Sequence, residues 1–145
     1  MDFPKLKLAQ TLILHEGLSP YAYNDTRGFV TIGVGRCIDK RCENGLSLDE
    51  IHYLLSNDID RCKRLLEGCP YYEVQSSVRK DVLVEMVFNL GLAGLEEFHE
   101  FLDAMLAKKY GAAVSDLRAS LWAHQVGEDR VNNICYRLLN DAYPS

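Results

Sequence analysis

The chain has 145 residues, a length that fits one domain with a self-sufficient buried core. Hydrophobic residues make up 48% and charged residues 26%, as in soluble globular proteins, and no apolar run approaches the roughly 18 residues of a membrane span. A net charge of −5 without any block of Lys or Arg disfavours a nucleic-acid partner, because phosphate neutralisation needs a basic surface.

The N-terminus interleaves apolar with charged and polar residues and lacks a signal-peptide layout. Synthesis and folding in the cytoplasm are expected, with a separate release route for any work outside it. Asp2 is placed to cap a first helix, with Pro4 in its first turn. Leu6, Ala9, Leu12 and Ile13 then recur at helical spacing, and Gly17 is a natural stop that leaves Glu16 in the last turn. The carbonyl end of a helix disfavours a carboxylate, and burial acts in the same direction, so Glu16 is expected to hold its proton near neutral pH.

From Tyr21 to Val34 the period becomes that of strands. Asn24-Asp25-Thr26-Arg27-Gly28 has turn composition between two β segments. Phe29, Thr31, Gly33 and Gly35 share one face of the second strand, small and polar as befits a ligand wall. Val30, Ile32 and Val34 form an apolar face able to pack inward. Residues 36–46 predict a third short strand and a turn at Asn44-Gly45.

Ser47-Leu48-Asp49-Glu50 is a capping box, and Ile51, Leu54, Leu55, Ile59, Cys62, Leu65 and Leu66 follow as a helical stripe ending at Gly68 and Pro70. Val78–Leu90 is apolar on nearly every side, which marks a central buried helix ended by Gly91. Gly94–Phe101, Leu102–Tyr110, Ala112–Ala123 and Arg130–Asp141 predict further helices. The expected fold class is α+β: a small N-terminal antiparallel β lobe over residues 17–46, a linking helix over 47–67, and a larger helical lobe from 1–16 and 70–145.

The five cysteines, Cys37, Cys42, Cys62, Cys69 and Cys135, are an odd count without an export signal. Cys62 and Cys135 fall on apolar helix faces, so buried reduced thiols are favoured. A Cys37–Cys42 or Cys62–Cys69 bridge is the alternative, and a four-thiolate zinc site is weakly indicated by the loose spacing.

Glu16, Asp25 and Thr31 stand nine and then six residues apart. With 21 acidic residues in the chain, spacing alone favours a solvated turn aspartate and an unremarkable helix-end glutamate. The contrast of environments points elsewhere: an acid at a helix end and an ionised carboxylate in a polar turn suit glycosidic cleavage by one acid and one base.

Glu16-Gly17, Tyr23, Asp25, Gly28 and Thr31-Ile32-Gly33-Val34-Gly35 together resemble the active-site signature of phage-type lysozymes, the endolysin family typified by the T-even phage enzyme. The likeness continues through Asn44-Gly45, Asn57-Asp58, Met86-Val87-Phe88-Asn89-Leu90-Gly91, Gly94, Phe98, Trp122 and the closing Asp141-Ala142-Tyr143. The resemblance implies a lysozyme-like fold and hydrolysis of the β-1,4 bond between N-acetylmuramic acid and N-acetylglucosamine in peptidoglycan, with inversion. Glu16 would be the general acid, and Asp25 with Thr31 would position and activate water, the two carboxyl groups roughly 6.5–9.5 Å apart. No metal or organic cofactor is implied.

Phe88 matches a saccharide-contacting position and is equally readable as core. Arg130 lies near an arginine that pairs with the catalytic glutamate, with a solvated helix-start arginine as the alternative. His15 is read as a structural hydrogen-bonder. Cys37, Phe101 and Asp116 replace other saccharide-contacting types, and the loop between Arg36 and Asn44 is shorter than in the T-even enzyme. A monomer is expected, acting on the wall after release, for which a holin is one route. A lytic transglycosylase, or a wall-binding, tail or effector module of the same fold, is the competing reading.

Overall fold

A computed structural model describes residues 5–145, so the expected cap at Asp2 and the role of Pro4 lie outside the described residues. The chain divides into two compact units, Met1–Leu54 and Leu55–Ser145, and the division falls inside one continuous helix. The architecture is the expected α+β one, with a small three-stranded antiparallel sheet near the N-terminus and a larger helical part. No helix among the described residues is long and apolar enough to cross a membrane.

In the first unit, α1 (Leu6–Glu16) stops where Gly17, at φ 80°, turns its N–H back to the Ile13 carbonyl. The sheet follows as β1 (Ser19–Asn24), β2 (Val30–Gly33) and β3 (Arg36–Cys37), in that spatial order. Tyr23 and Asn24 stand opposite Thr31 and Val30, and Thr31 and Ile32 stand opposite Cys37 and Arg36. β2 is therefore the central strand, and Thr31 is flanked by Tyr23 and Cys37. The facing departs from the expected one: Thr31 is buried, whereas Val30 and Val34 on the apolar face remain exposed.

After β3 a short 3₁₀ turn (Lys40–Cys42), not expected from the sequence, is capped by the Asp39 side chain. Ser47 caps α2 (Leu48–Leu66) by accepting from the Glu50 N–H at 3.2 Å, as the capping box predicts. The Glu50 carboxylate engages Arg36 at 2.5 Å, and this contact, with Ser47 second, holds it ionised below the usual carboxylate range.

The second unit takes in the rest of α2, α3 (Pro70–Glu73), α4 (Ser77–Glu96), α5 (His99–Leu106), α6 (Tyr110–Arg118), α7 (Leu121–Val126) and α8 (Glu128–Asn140). The predicted stop at Gly91 is a true interruption, at φ 74° and ψ 166°, after which the helix resumes. The predicted run Ala112–Ala123 is instead two helices. Ser120 divides it, donating to the Leu117 carbonyl and accepting from the Ala123 N–H. α3 went unrecognised in the sequence because four residues carry no periodicity.

Val82, Leu83 and Met86 of α4 are fully buried with Leu66, Leu95, Met105, Leu117, Ile134 and Leu138. Phe88 is a correction to the all-round apolar reading of this helix, since half of it is exposed. Two polar side chains tie its helices together, while the buried Tyr71 hydroxyl has no hydrogen-bond partner. The Gln75 amide donates to the Tyr71 and Met105 carbonyls and accepts from the Tyr110 hydroxyl, tying α3 to α5 and α6. Arg79 stacks on the Tyr110 ring at 3.6 Å and donates to the Leu138 carbonyl, tying α4 to α6 and α8.

Leu83→Ala should cost about 2–5 kcal/mol in urea unfolding, the range for a large-to-small change in a packed core. Leu121→Ala, 72% exposed at the start of α7, should stay within about 0.5 kcal/mol.

Candidate functional site

The hairpin turn between β1 and β2 is built around Asp25. Its carbonyl accepts from the Gly28 N–H at 2.9 Å, and Gly28 sits at φ 78°, closing a tight turn that a side chain there would strain. The carboxylate folds over this turn. Oδ1 accepts from the Arg27 N–H at 2.8 Å and from the Phe29 N–H at 2.9 Å. Oδ2 is left with the Arg27 guanidinium at 3.5 Å. The Phe29 amide first, then the Arg27 amide and charge, hold the Asp25 carboxyl below its ordinary range, against a smaller opposing effect of desolvation. The expectation of an ionised turn aspartate is met.

Phe29 joins Asp25 to Thr31. Its N–H binds the Asp25 carboxylate, and its carbonyl accepts both the Asp25 N–H and the Thr31 hydroxyl at 2.9 Å. Thr31 spends its only hydroxyl proton on that carbonyl, so the free lone pairs of Oγ1 can act only as acceptors. Sequence reasoning identified both side chains but not the backbone group that connects them. A main-chain carbonyl leaves no trace in residue type.

Glu16 is exposed, so the burial expected to act on it is absent. It is the last residue of α1, and its carboxyl lies against Gly35 beyond the end of β2. A Cβ built on Gly35 would stand 3.2 Å from Glu16 Oε2, and Gly35 has φ 65°. Backbone conformation and proximity both call for glycine there. Gly45, at φ 50° with nothing within 4 Å of a Cβ, has only the first constraint.

The second unit holds the other two candidates. Phe88 is half-exposed on the wall of a groove of about 550 Å³, with Asp81, Glu85, Asn133, Arg137 and Tyr143 among its neighbours. Arg130 lies 3.5 Å from Glu85 and 5.9 Å from the Trp122 ring, and Glu85 also pairs with the buried Arg137. Trp122 donates to Asn89 Oδ1 at 2.7 Å, and Phe98 meets both Trp122 and Phe101 edge-on. The closing segment is fastened by Tyr143 donating to Asp81 and by Asp141 accepting from Ser76. Arg137, which the sequence did not single out, is the charge in the middle of this group.

Of the positions that replace saccharide-contacting types, Phe101 is buried in the core. Cys37 is bonded to Cys42, which corrects the preference for five reduced thiols and removes the four-thiolate zinc site. Cys62, Cys69 and Cys135 are free thiols, and burial pushes the Cys62 and Cys135 thiols up from their ordinary value. Among the described residues, no group of three or more His, Cys, Asp or Glu is arranged to hold a metal ion.

Because the folded-state pKa of Asp25 lies below its unfolded value, its stabilisation is complete above about pH 3.9 and is lost as pH falls through the lowered value. The stability difference between wild type and Asp25→Asn should therefore shrink from about pH 5 to pH 2 in thermal unfolding; a pH-independent difference would contradict the turn's preference for the carboxylate. Gly35→Ala and Gly45→Ala should each lose about 1–2 kcal/mol from left-handed strain. Only Gly35→Ala should also displace the Glu16 carboxyl carbon in a ¹³C spectrum.

The phage lysozyme family model matches residues 14–137. The chain is 27% identical over 150 aligned positions to the pre-baseplate central spike protein Gp5 of Enterobacteria phage T4, an alignment covering 86% of this chain and 26% of that one. The chain thus spans about a quarter of the length of that relative. It is 25% identical over 137 positions to a probable T4-type lysozyme 1 of Dictyostelium discoideum, covering 76% of this chain and 81% of the other. With residues 14–137 inside the family model, and an α+β architecture of the lysozyme kind, the chain belongs to the phage lysozyme family.

Proposed function

We propose that the chain is one lysozyme domain hydrolysing the β-1,4 bond between N-acetylmuramic acid and N-acetylglucosamine in peptidoglycan, with inversion and without metal or cofactor. Glu16 protonates the leaving oxygen. Asp25 and Thr31 hold the attacking water, Phe88 contacts the saccharide, and Arg130 orients the acid. The protein acts as a monomer on the cell wall, after synthesis in the host cytoplasm and release through a holin-dependent or other route.

The observation that carries this reading is the division of labour around Phe29. Asp25 Oδ1 is committed to two amides, and Oδ2, held only by the Arg27 guanidinium at 3.5 Å, is the oxygen that can accept a further donor. Thr31 Oγ1 has its proton committed and is the second acceptor. A water between the two gives one proton to each and turns its remaining lone pairs toward the anomeric carbon. A carboxylate with a lowered pKa is a weak base, so Asp25 orients the water first and takes its proton late, as C–O cleavage builds oxocarbenium character. A lytic transglycosylase needs no such acceptor pair, and the paired oxygens count against it.

The similarity to a central spike protein favours one second reading, a wall-binding or tail-associated module with reduced activity. Both readings meet in one experiment. Glu16→Gln should slow peptidoglycan clearing by about a hundredfold or more, the contribution of a general acid. Mass spectrometry of the wild-type digest should show reducing ends. Equal rates for wild type and variant would remove Glu16 from the chemistry, and 1,6-anhydro ends would assign a transglycosylase.

A further inference from the structure

The loop after β3 carries polar groups that the proposed chemistry does not use. Cys37 and Cys42 close a ring across it, and Asp39 and Arg41 lie inside that ring. The two side chains form a bidentate pair, Arg41 Nε to Asp39 Oδ1 at 2.8 Å and Nη2 to Oδ2 at 2.7 Å. Asp39 Oδ1 also accepts the Arg41 N–H at 3.0 Å, and Oδ2 the Val30 N–H at 3.3 Å. Behind them, the Ile38 and Asp39 N–H groups both reach the Val30 carbonyl.

Toward the turn of the hairpin this assembly presents a guanidinium. Arg41 Nη2 donates to the Gly28 carbonyl at 3.1 Å, and Cζ sits 4.1 Å from the centre of the Phe29 ring. Arg27 approaches the same ring at 4.4 Å. Gly28 and Phe29 are the two residues on either side of the peptide whose N–H binds Asp25. A group that holds the Gly28 carbonyl therefore fixes the plane of the peptide supplying the Phe29 N–H, because carbonyl and amide belong to one rigid unit.

We propose that Arg41, oriented by Asp39 and presented by the Cys37–Cys42 ring, is a positioning residue for Asp25: its grip on the Gly28 carbonyl and Phe29 ring sets the amide that aims the carboxylate. The inference rests on Asp25 as the water-orienting group of the proposed hydrolysis. Loss of the guanidinium frees that peptide plane to rotate, lengthens the Phe29 N–H bond to Oδ1 and removes a nearby cation. The Asp25 pKa then rises, and the acidic limb of the pH–rate profile moves to higher pH.

The test follows the Asp25 carboxyl carbon by ¹³C titration, together with kcat, KM and the pH–rate profile, in wild type, Arg41→Ala and Arg41→Lys. Arg41→Ala should raise the Asp25 midpoint and lower kcat between about tenfold and a hundredfold, the scale of a misplaced reacting group, with KM changed less than about twofold. Arg41→Lys keeps the charge but not the planar fork, so it should recover part of the midpoint and part of kcat. Mild reduction of wild type opens the only disulfide among the described residues and should move the midpoint in the same direction. An unchanged Asp25 midpoint in the folded Arg41→Lys and reduced proteins would overturn the proposal, whether or not Arg41→Ala folds. Full turnover by Asp25→Asn would instead remove Asp25 from the chemistry, while the titration would still decide whether Arg41 positions it.

Discussion

The N–H of Phe29 bound to the Asp25 carboxylate is the contact on which the first unit turns. It closes a five-residue turn, depresses the carboxyl pKa and frees one oxygen for a ligand. It also places a carbonyl, on the same residue, that accepts a hydrogen bond from the Thr31 hydroxyl. Without it the Phe29 carbonyl would still join the Asp25 backbone to Thr31, but the carboxylate itself would lose its tie to that residue. The same bond makes demands elsewhere: a left-handed glycine at position 28, a central strand that buries Thr31, and a neighbouring loop that steadies the Phe29 ring.

The second unit is held together differently. Its stability comes from apolar burial along α4, α5, α6 and α8, and its polar groups serve register. Each Gln75 hydrogen bond contributes about 1 kcal/mol net, but leaving one of its buried partners unpaired costs about 1–3 kcal/mol. That asymmetry fixes α3, α5 and α6 relative to one another. The exposed pairs, such as Arg61 with Asp58, contribute at most about 1 kcal/mol and specify little.

Legibility in the sequence followed the range of the determining interaction. Gly17, Ser47 and Gly91 act within one helical turn, and each was readable as a start or stop. The Asp25 turn was readable for the same reason, since its partners lie within four residues. Ser120 misled because helix periodicity continues across it, and only its two hydrogen bonds show that a new helix begins. Phe88 and Phe101 could not be told apart by type: one is half-exposed in a groove and the other is buried. The Cys37–Cys42 bond was one of two candidate bridges that spacing could not rank, and the Asp39–Arg41 pair was hidden because a charged, irregular segment carries no periodic signal. What the family likeness supplied, and no local physics could, was the sugar proposed as substrate.

The central claim is that a water held by Asp25 and Thr31 attacks the anomeric carbon directly. The stereochemistry of the first product tests it most directly. Proton NMR of a chitooligosaccharide or glycan-strand digest, recorded before mutarotation, should show the α-anomer appearing first. Initial release of the β-anomer would require a covalent intermediate or a participating acetamide, and would contradict the role given to Asp25 and Thr31.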